Sequence, residues 1–435
     1  MPFSANRAFK ARPRLFVAAD GVHYRTDTGR QVLDATSGLY CVNAGHGRRR
    51  IVDAIKEAAE RLDFAPPFQY AQPQVFELAN RLALLAPGDL NHVMLATSGS
   101  EAVETAMKVA LAYHRAKGEG QRTKFIGRER AYHGVGFGGI AVGGIPANRK
   151  AFGAMLPGTD HLPSTYDRAH QAFSVGEPAW GAHLADELNR LIALHDASNI
   201  AAVIVEPTAG STGCLPPPQG YLERLVEIAG HHGILVIFDE VITGFGRLGH
   251  AFAAERYGLV PDLITFAKGV TNGSVPMSGV LLRDQIYRTV CDGEDAPAGA
   301  PPRHLPELFH GYTYSGHPLA TAAALATLDV YRDEALFERT REREAAFAER
   351  MMSLQGLPNV ADIRPIGLMC GIDLHCIENR PGQRGYRAIE TSFHELDLYV
   401  RVALDTLILA PPLIATDDEL DAMTERVAET IRRVQ

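Results

Sequence analysis

"VIFDEVITGFGR" (Val236–Arg247) runs out of an apolar segment directly into two adjacent acids, Asp239 and Glu240. Extended backward it reads "ILVIFD" (Ile234–Asp239), apolar at every position before the acid. A half-exposed strand alternates apolar and polar residues, whereas a strand covered on both faces does not. The same unbroken pattern recurs in "HVMLAT" (His92–Thr97), "TKFIG" (Thr123–Gly127), "AAVIVEP" (Ala201–Pro207), "DLITFA" (Asp262–Ala267) and "SGVLL" (Ser278–Leu282). Helical stretches separate these runs. In "YLERLVEIAGHHG", Leu222, Leu225, Val226 and Ala229 form one stripe that stops at Gly233. Alternating strands and helices predict an α/β fold with a mostly parallel sheet flanked by helices.

The flanks read differently. Residues Leu15–Ala35 read as a small β-meander broken at Asp20-Gly21 and Thr28-Gly29. Asp292–Glu307, rich in Pro, Gly and Ala, reads as a surface loop. Beyond it, a helix-rich stretch (Leu319–Leu354) leads to short strands around "IGLMCGIDL" and "LYVRVALDTLILAPP". A last helix opens with the capping box Thr416–Glu419 and carries Leu420, Met423, Val427, Ile431 and Val434 on its apolar side. This predicts a large domain over 46–318. A smaller α+β domain would be built from an N-terminal segment, 1–45, and a C-terminal segment, 319–435.

Composition narrows the function. The chain has 435 residues, 46% of them hydrophobic, enough for a large core and a second lobe. Its net charge of −8 and the lack of a basic stretch argue against nucleic acid. No apolar run has the length of a membrane span. The N-terminal "MPFSANRAFKARPRLF" is basic and lacks an apolar signal core, so it reads as a structural arm. The cysteines Cys41, Cys214, Cys291, Cys370 and Cys376 are odd in number and scattered, without Cys-x-x-Cys. Neither a disulfide framework nor a thiolate metal site is expected, and a cytoplasmic location is.

"GFGRLG" (Gly244–Gly249) matches a dinucleotide-binding pattern, but its context is wrong. "EVIT" separates it from the strand, and the strand that follows ends at Lys268 rather than at an acid for a ribose. "ATSGSEAVETAMKVALAYHR" (Ala96–Arg115) is an ordinary capped helix or a phosphate seat with free N–H groups at a helix start. Lys268, after "LITFA", is a snorkelling surface group or a Schiff-base nucleophile of lowered pKa. Adjacent strand residues point oppositely, so one of Asp239 and Glu240 enters a site, and we take Asp239. A phosphate seat, an acid and a lysine at strand ends of one parallel sheet together suit pyridoxal phosphate. Lysine holds the aldehyde as an imine, and the acid keeps the pyridine nitrogen protonated. "RAYHGVGFGG" offers Tyr132 to cover a ring face, with His133 beside it.

The ordered set "TSGSEA", "AYHG", "VEPTAGSTGCLPPPQGYL", "IFDEVITGFGRLG", "FAKGVTNG" and "HGYTYSGHPLA" resembles class III aminotransferases of fold type I over nearly the whole chain. It is most similar to the ω-amino acid–pyruvate and β-alanine–pyruvate group, through "MPFSANRAFKARPRLF", "LIALHDASNIAAVIVEP" and "LILAPPLIA". The resemblance implies that Lys268 carries the cofactor imine and shuttles a proton, and that Asp239 pairs with the ring nitrogen. Val241 would pack opposite Tyr132, Gly99 and Ser100 would bind the phosphate, and Glu206 would lie near the phenolic edge. Thr313 would reach the phosphate of a second subunit, making the active unit a homodimer or homotetramer. Arg401 would pair with a substrate carboxylate.

Tyr40, in "GLYCVN", stands where this group commonly has tryptophan at the pocket wall, and Leu404 stands where relatives often carry glycine. The implied reaction moves an amino group from an ω-amino acid such as β-alanine, or a primary amine, to pyruvate. An aminomutase of the same fold, a nicotinamide oxidoreductase using "GFGRLG" and a non-catalytic scaffold are the alternatives.

Overall fold

The computed structural model describes residues 1–153, 155–291 and 307–435. Among them, a seven-stranded sheet runs in the order His92–Ala96, Ser278–Leu282, Leu263–Phe266, Leu235–Asp239, Ile200–Val205, Lys124–Arg128 and Thr159–Leu162. Ser278–Leu282 is antiparallel to both of its neighbours, and the other strands run parallel. The apolar runs are continuous because both faces are covered. Ala202, Ile204 and Ile237 pack with Ala102, Val103, Ala106 and Ala110 of helix Gly99–Ala116. Val203, Val205, Val236 and Phe238, pointing the other way, join the core that contains Leu222, Leu225 and Ala229 of helix Tyr221–His231. The edge strand Thr159–Leu162 is not among the expected strands, because its sequence "TDHL" carries a single apolar residue. The expected loop Asp292–Glu307 lies outside the described residues, apart from Glu307.

The N-terminal meander forms as expected: Phe16–Asp20, His23–Thr26 and Gln31–Asp34 pair antiparallel. Leu398–Tyr399 then adds in parallel to Gln31–Asp34, which ties the two ends of the chain together. A separate antiparallel sheet runs in the order Val360–Ile366, Met369–Leu374, Thr406–Leu409 and Arg401–Ala403. Helices Pro318–Asp333 and Leu336–Met352 precede it, and the capping box at Thr416 opens helix Asp417–Arg433.

The "GFGRLG" segment is a junction of packed segments. Gly246 has φ +94°, and a Cβ there would come within 2.6 Å of the Phe337 ring. Arg247 is fully buried. It donates to the carbonyls of Leu368 (3.0 Å) and Pro411 (2.7 Å), to Ser37 Oγ (2.9 Å) and to Asn43 Oδ1 (2.6 Å). Burial pushes its guanidinium down to about 10. One side chain thus joins the N-terminal segment, the large sheet's loop and the C-terminal segment.

Arg247→Met would leave several of these acceptors buried and unpaired. Each unsatisfied group costs about 1–3 kcal/mol, so the variant is expected to lose at least about 3 kcal/mol, read as a lower urea midpoint. Leu404 sits in the two-residue turn between Arg401–Ala403 and Thr406–Leu409, with φ +52° and its side chain exposed. A left-handed non-glycine residue is strained there, so Leu404→Gly is expected to leave stability unchanged or raise it by up to about 1 kcal/mol. A fall in the thermal midpoint would contradict that.

Candidate active site

The expected site residues gather because the parallel strands deliver them to one edge of the sheet. Asp239 ends strand Leu235–Asp239, Lys268 follows Leu263–Phe266, and Glu206 follows Ile200–Val205. Tyr132 and His133 come from the loop after Lys124–Arg128, and Gly99 and Ser100 open the helix after His92–Ala96. These are strand C-termini, where open α/β sheets form ligand crevices. One cleft is lined by Gly99, Ser100, Tyr132, His133, Glu206, Asp239, Val241 and Lys268, with Gly134, Ile242 and Ala267.

Asp239 is 5% exposed. Its Oδ1 accepts from Thr265 Oγ1 (3.0 Å) and the Val241 N–H (3.2 Å), and its Oδ2 lies 2.8 Å from His133 Nδ1. The other ring nitrogen, His133 Nε2, is buried without a hydrogen-bond partner among the described residues. Glu240 faces the opposite way, as strand alternation requires. It accepts from Thr243 Oγ1 and from the N–H groups of Ala253 and Ala254, so it caps the short helix Ala253–Arg256, and burial lifts its carboxyl to about 7. Glu206 accepts from the Tyr132 N–H (2.9 Å) and the Gly210 N–H (3.2 Å), and burial raises its pKa.

At the start of helix Gly99–Ala116 the capping box is complete. Ser98 Oγ accepts from the Glu101 N–H, and Glu101 accepts from the N–H groups of Ser98 and Thr97. A Cβ on Gly99 would stand 3.0 Å from Val241 Cγ1, so glycine keeps that wall of the cleft open. Ser100 Oγ accepts from the Val135 N–H at 3.0 Å.

Lys268 adopts φ +50°, a strained conformation for a side chain with a Cβ. The surrounding turn is fixed from outside. The Tyr331 hydroxyl donates to the Gly269 carbonyl (2.7 Å), and the Asn272 side chain bonds the Ala44 N–H and the Gly45 carbonyl (2.8 Å each). Burial lowers the Lys268 pKa, with Arg401 adding to the drop and Cys41, Asp239 and Glu206 opposing it.

Three expected residues stand apart from the cleft lining. Thr313 lies in an exposed turn. Arg401 donates to the Ser211 carbonyl at 3.3 Å, and its positive charge is felt by Tyr132 and Lys268. Tyr40 is fully buried under the Arg401 guanidinium and donates its hydroxyl to the Gly210 carbonyl at 3.0 Å. The sequence reading missed Thr265 as a holder of Asp239. The signal was there: one hydroxyl inside the apolar run "LITFA". Gly134, pressed against Ser100, was also missed.

Since the folded state lowers the Lys268 pKa below the ordinary 10.5, the unfolded chain binds that proton more tightly, and the lysine's cost is full at low pH. Without cofactor, Lys268→Met is expected to raise the thermal midpoint at neutral pH. The gain should shrink as pH climbs toward the free-lysine value and vanish above it. A gain independent of pH would instead mean simple repacking.

The whole chain bears comparison with known proteins. It is 54% identical to an omega-aminotransferase of Caulobacter vibrioides, covering 100% of this chain and 96% of the relative. It is 47% identical to a β-alanine–pyruvate aminotransferase of Pseudomonas aeruginosa, covering 100% and 95%. Its fold superposes with a TM-score of 0.91 on an amine transaminase from an uncultivated Pseudomonas species solved in its PLP-bound form, at 32% identity over 100% of this chain and 98% of that one. Residues 5–431 match the family described as aminotransferase class-III, and the chain belongs to that family.

Proposed function

We propose that this protein transfers the amino group of an ω-amino acid such as β-alanine, or of a primary amine, to pyruvate, using pyridoxal phosphate. The observation that carries this reading is the juxtaposition, in one cleft, of Lys268 with the Asp239–His133 pair and the Gly99–Ser100 helix start. The residues fit the cofactor in three respects. A buried acid is already hydrogen-bonded and backed by an imidazole. A helix N-terminus offers N–H groups and a hydroxyl for a phosphate. Gly99, lacking a Cβ that would crowd Val241, helps keep open the cleft that Tyr132 and Val241 also line, where a flat ring would stack.

When bound, the cofactor supplies an electron sink that lets a carbon–hydrogen bond next to nitrogen ionise. The rest is work for the chain. Asp239, held by Thr265, Val241 and His133, keeps a ring nitrogen protonated. Lys268, with its lowered pKa, would hold the cofactor through its aldehyde and would serve as the base near the substrate carbon. Glu206, Tyr132 and Val241, which line the same cleft, would hold the cofactor's phenolic edge and its two ring faces. Arg401 offers its guanidinium to the carboxylate shared by pyruvate and β-alanine. Donor and acceptor then use one site in turn, which gives ping-pong kinetics.

We further infer a homodimer or homotetramer in which Thr313 reaches the partner's phosphate. The exposed Phe64, Phe68, Tyr70, Phe309 and Tyr314 form the kind of surface that a second copy would cover. A cytoplasmic location suits Cys41, Cys214, Cys370 and Cys376, which form no disulfide.

The test is optical. Enzyme loaded with pyridoxal phosphate is expected to show a visible band that Lys268→Ala loses. β-Alanine without keto acid should bleach that band, and pyruvate should restore it. No band with the cofactor overturns the cofactor assignment. A band that β-alanine leaves unchanged overturns the donor. Turnover that ignores added pyruvate points to an aminomutase. Asp239→Asn is expected to lower kcat on the order of 10²–10³-fold, the usual loss for one electrostatic stabiliser.

A further inference from the structure

Tyr40 packs against Arg401, and the proposed reaction gives Tyr40 itself no role. The Arg401 guanidinium carbon lies 5.5 Å from the centre of the Tyr40 ring, over its face. Its partners among the described residues are that ring and the Ser211 carbonyl, not a carboxylate. Tyr40 and Arg401 grip neighbouring carbonyls of one loop, Gly210 and Ser211. The next two carbonyls are held as well, Thr212 by Arg130 (3.1 Å) and Gly213 by Arg364 (2.9 Å). Each of the four successive carbonyls therefore has its own side-chain donor, and the loop under Arg401 is fixed.

The segment that presents Tyr40 is strained and held in place. Ser37, Gly38 and Tyr40 have φ of +48°, +68° and +60°. Asp34 accepts from the N–H groups of Thr36 (2.9 Å) and Gly38 (2.7 Å), the Tyr399 hydroxyl donates to the Gly38 carbonyl (2.7 Å), and Ser37 Oγ donates to the Ala410 carbonyl (2.7 Å). Residues kept in unfavourable backbone regions by so many bonds cluster where geometry matters.

We propose that Tyr40 is a positioning residue whose ring face holds the Arg401 guanidinium ready for a substrate carboxylate, so that it sets the preference for carboxylate-bearing substrates over simple amines. This rests on the reading of Arg401 as the carboxylate-binding residue. The ring attracts the cation without neutralising it. A carboxylate partner would compete with substrate, and open water would leave the long side chain free to swing. The phenol hydroxyl is already committed to Gly210, so Tyr40 acts through its face and presents no donor to substrate.

The experiment compares KM and kcat for pyruvate and β-alanine with those for benzylamine, which has no carboxylate. Tyr40→Met is expected to raise KM for pyruvate and β-alanine roughly three- to thirtyfold, while kcat and the KM for benzylamine hold. In an Arg401→Ala background, Tyr40→Met should add nothing further. An equal rise for benzylamine, or an effect that simply adds to that of Arg401→Ala, reduces Tyr40 to ordinary packing and overturns the proposal. If Arg401→Ala leaves the carboxylate KM unchanged, the role of Arg401 fails first and the proposal with it. Should Tyr40→Met not fold, Tyr40→Phe and pentafluorophenylalanine at position 40 share one shape and differ in the charge of the ring face. A higher carboxylate KM for the fluorinated ring supports the proposal, and equal values overturn it.

Discussion

The site depends on a carboxylate that is nearly out of water. Asp239 ends a fully buried strand, and a charge there is tolerated only if its oxygens are satisfied. Thr265 on the neighbouring strand, the Val241 N–H and the His133 ring do this. Each constraint propagates. Thr265 must sit beside Asp239 in register, and the parallel pairing of Leu235–Asp239 with Leu263–Phe266 puts it there. That register also brings the end of the second strand, and with it Lys268, alongside the acid. His133 must be carried in by the loop after Lys124–Arg128, which draws Tyr132 to the cleft. The sheet's pairing and the acid's need for partners therefore specify the same geometry.

A second requirement is that the two ends of the chain close around this cleft. Arg247 does so with hydrogen bonds to segments far apart in sequence, and among the described residues none of them goes to a carboxylate. Asn43 returns a bond to the Phe245 carbonyl, and Asn272 bonds Ala44 and Gly45, so the N-terminal segment is tied both to Arg247 and to the turn that carries Lys268. A pattern that looks like a dinucleotide loop is here a packing junction. Its glycines admit Phe337, Leu413 and Arg341 at close range and do not form a cradle for a diphosphate.

Much of this was legible in the sequence for a physical reason. Strands buried on both faces are apolar throughout, and so are visible. The residues that break the pattern at their ends, Asp239 and Lys268, are conspicuous because nothing about packing asks for them, whereas Glu206 was marked only by the family resemblance. Alternation required that only one of Asp239 and Glu240 face the cleft, and Asp239 is the one that lines it. Thr159–Leu162 was not visible because an edge strand with one apolar residue carries no such pattern. The true setting of Tyr40 was not visible either. An aromatic near a pocket reads the same whether it lines the wall or lies beneath an arginine, and only the long-range approach of Arg401 to Tyr40 decides between the two.

Strain follows the same logic. Lys268 and Tyr40 both occupy the left-handed region, where a side chain costs roughly 1–2 kcal/mol relative to the right-handed one. Neither is at a free loop tip. Lys268 is flanked by Asn272 and by Gly269, whose carbonyl Tyr331 holds, and Tyr40 follows a turn pinned by Asp34 and Tyr399. Those bonds are made between groups of the chain itself, so the strain is met by the scaffold and does not have to be drawn from substrate binding. A lysine and an arginine platform held in this way start close to the geometry they need, and little binding energy is spent on ordering them.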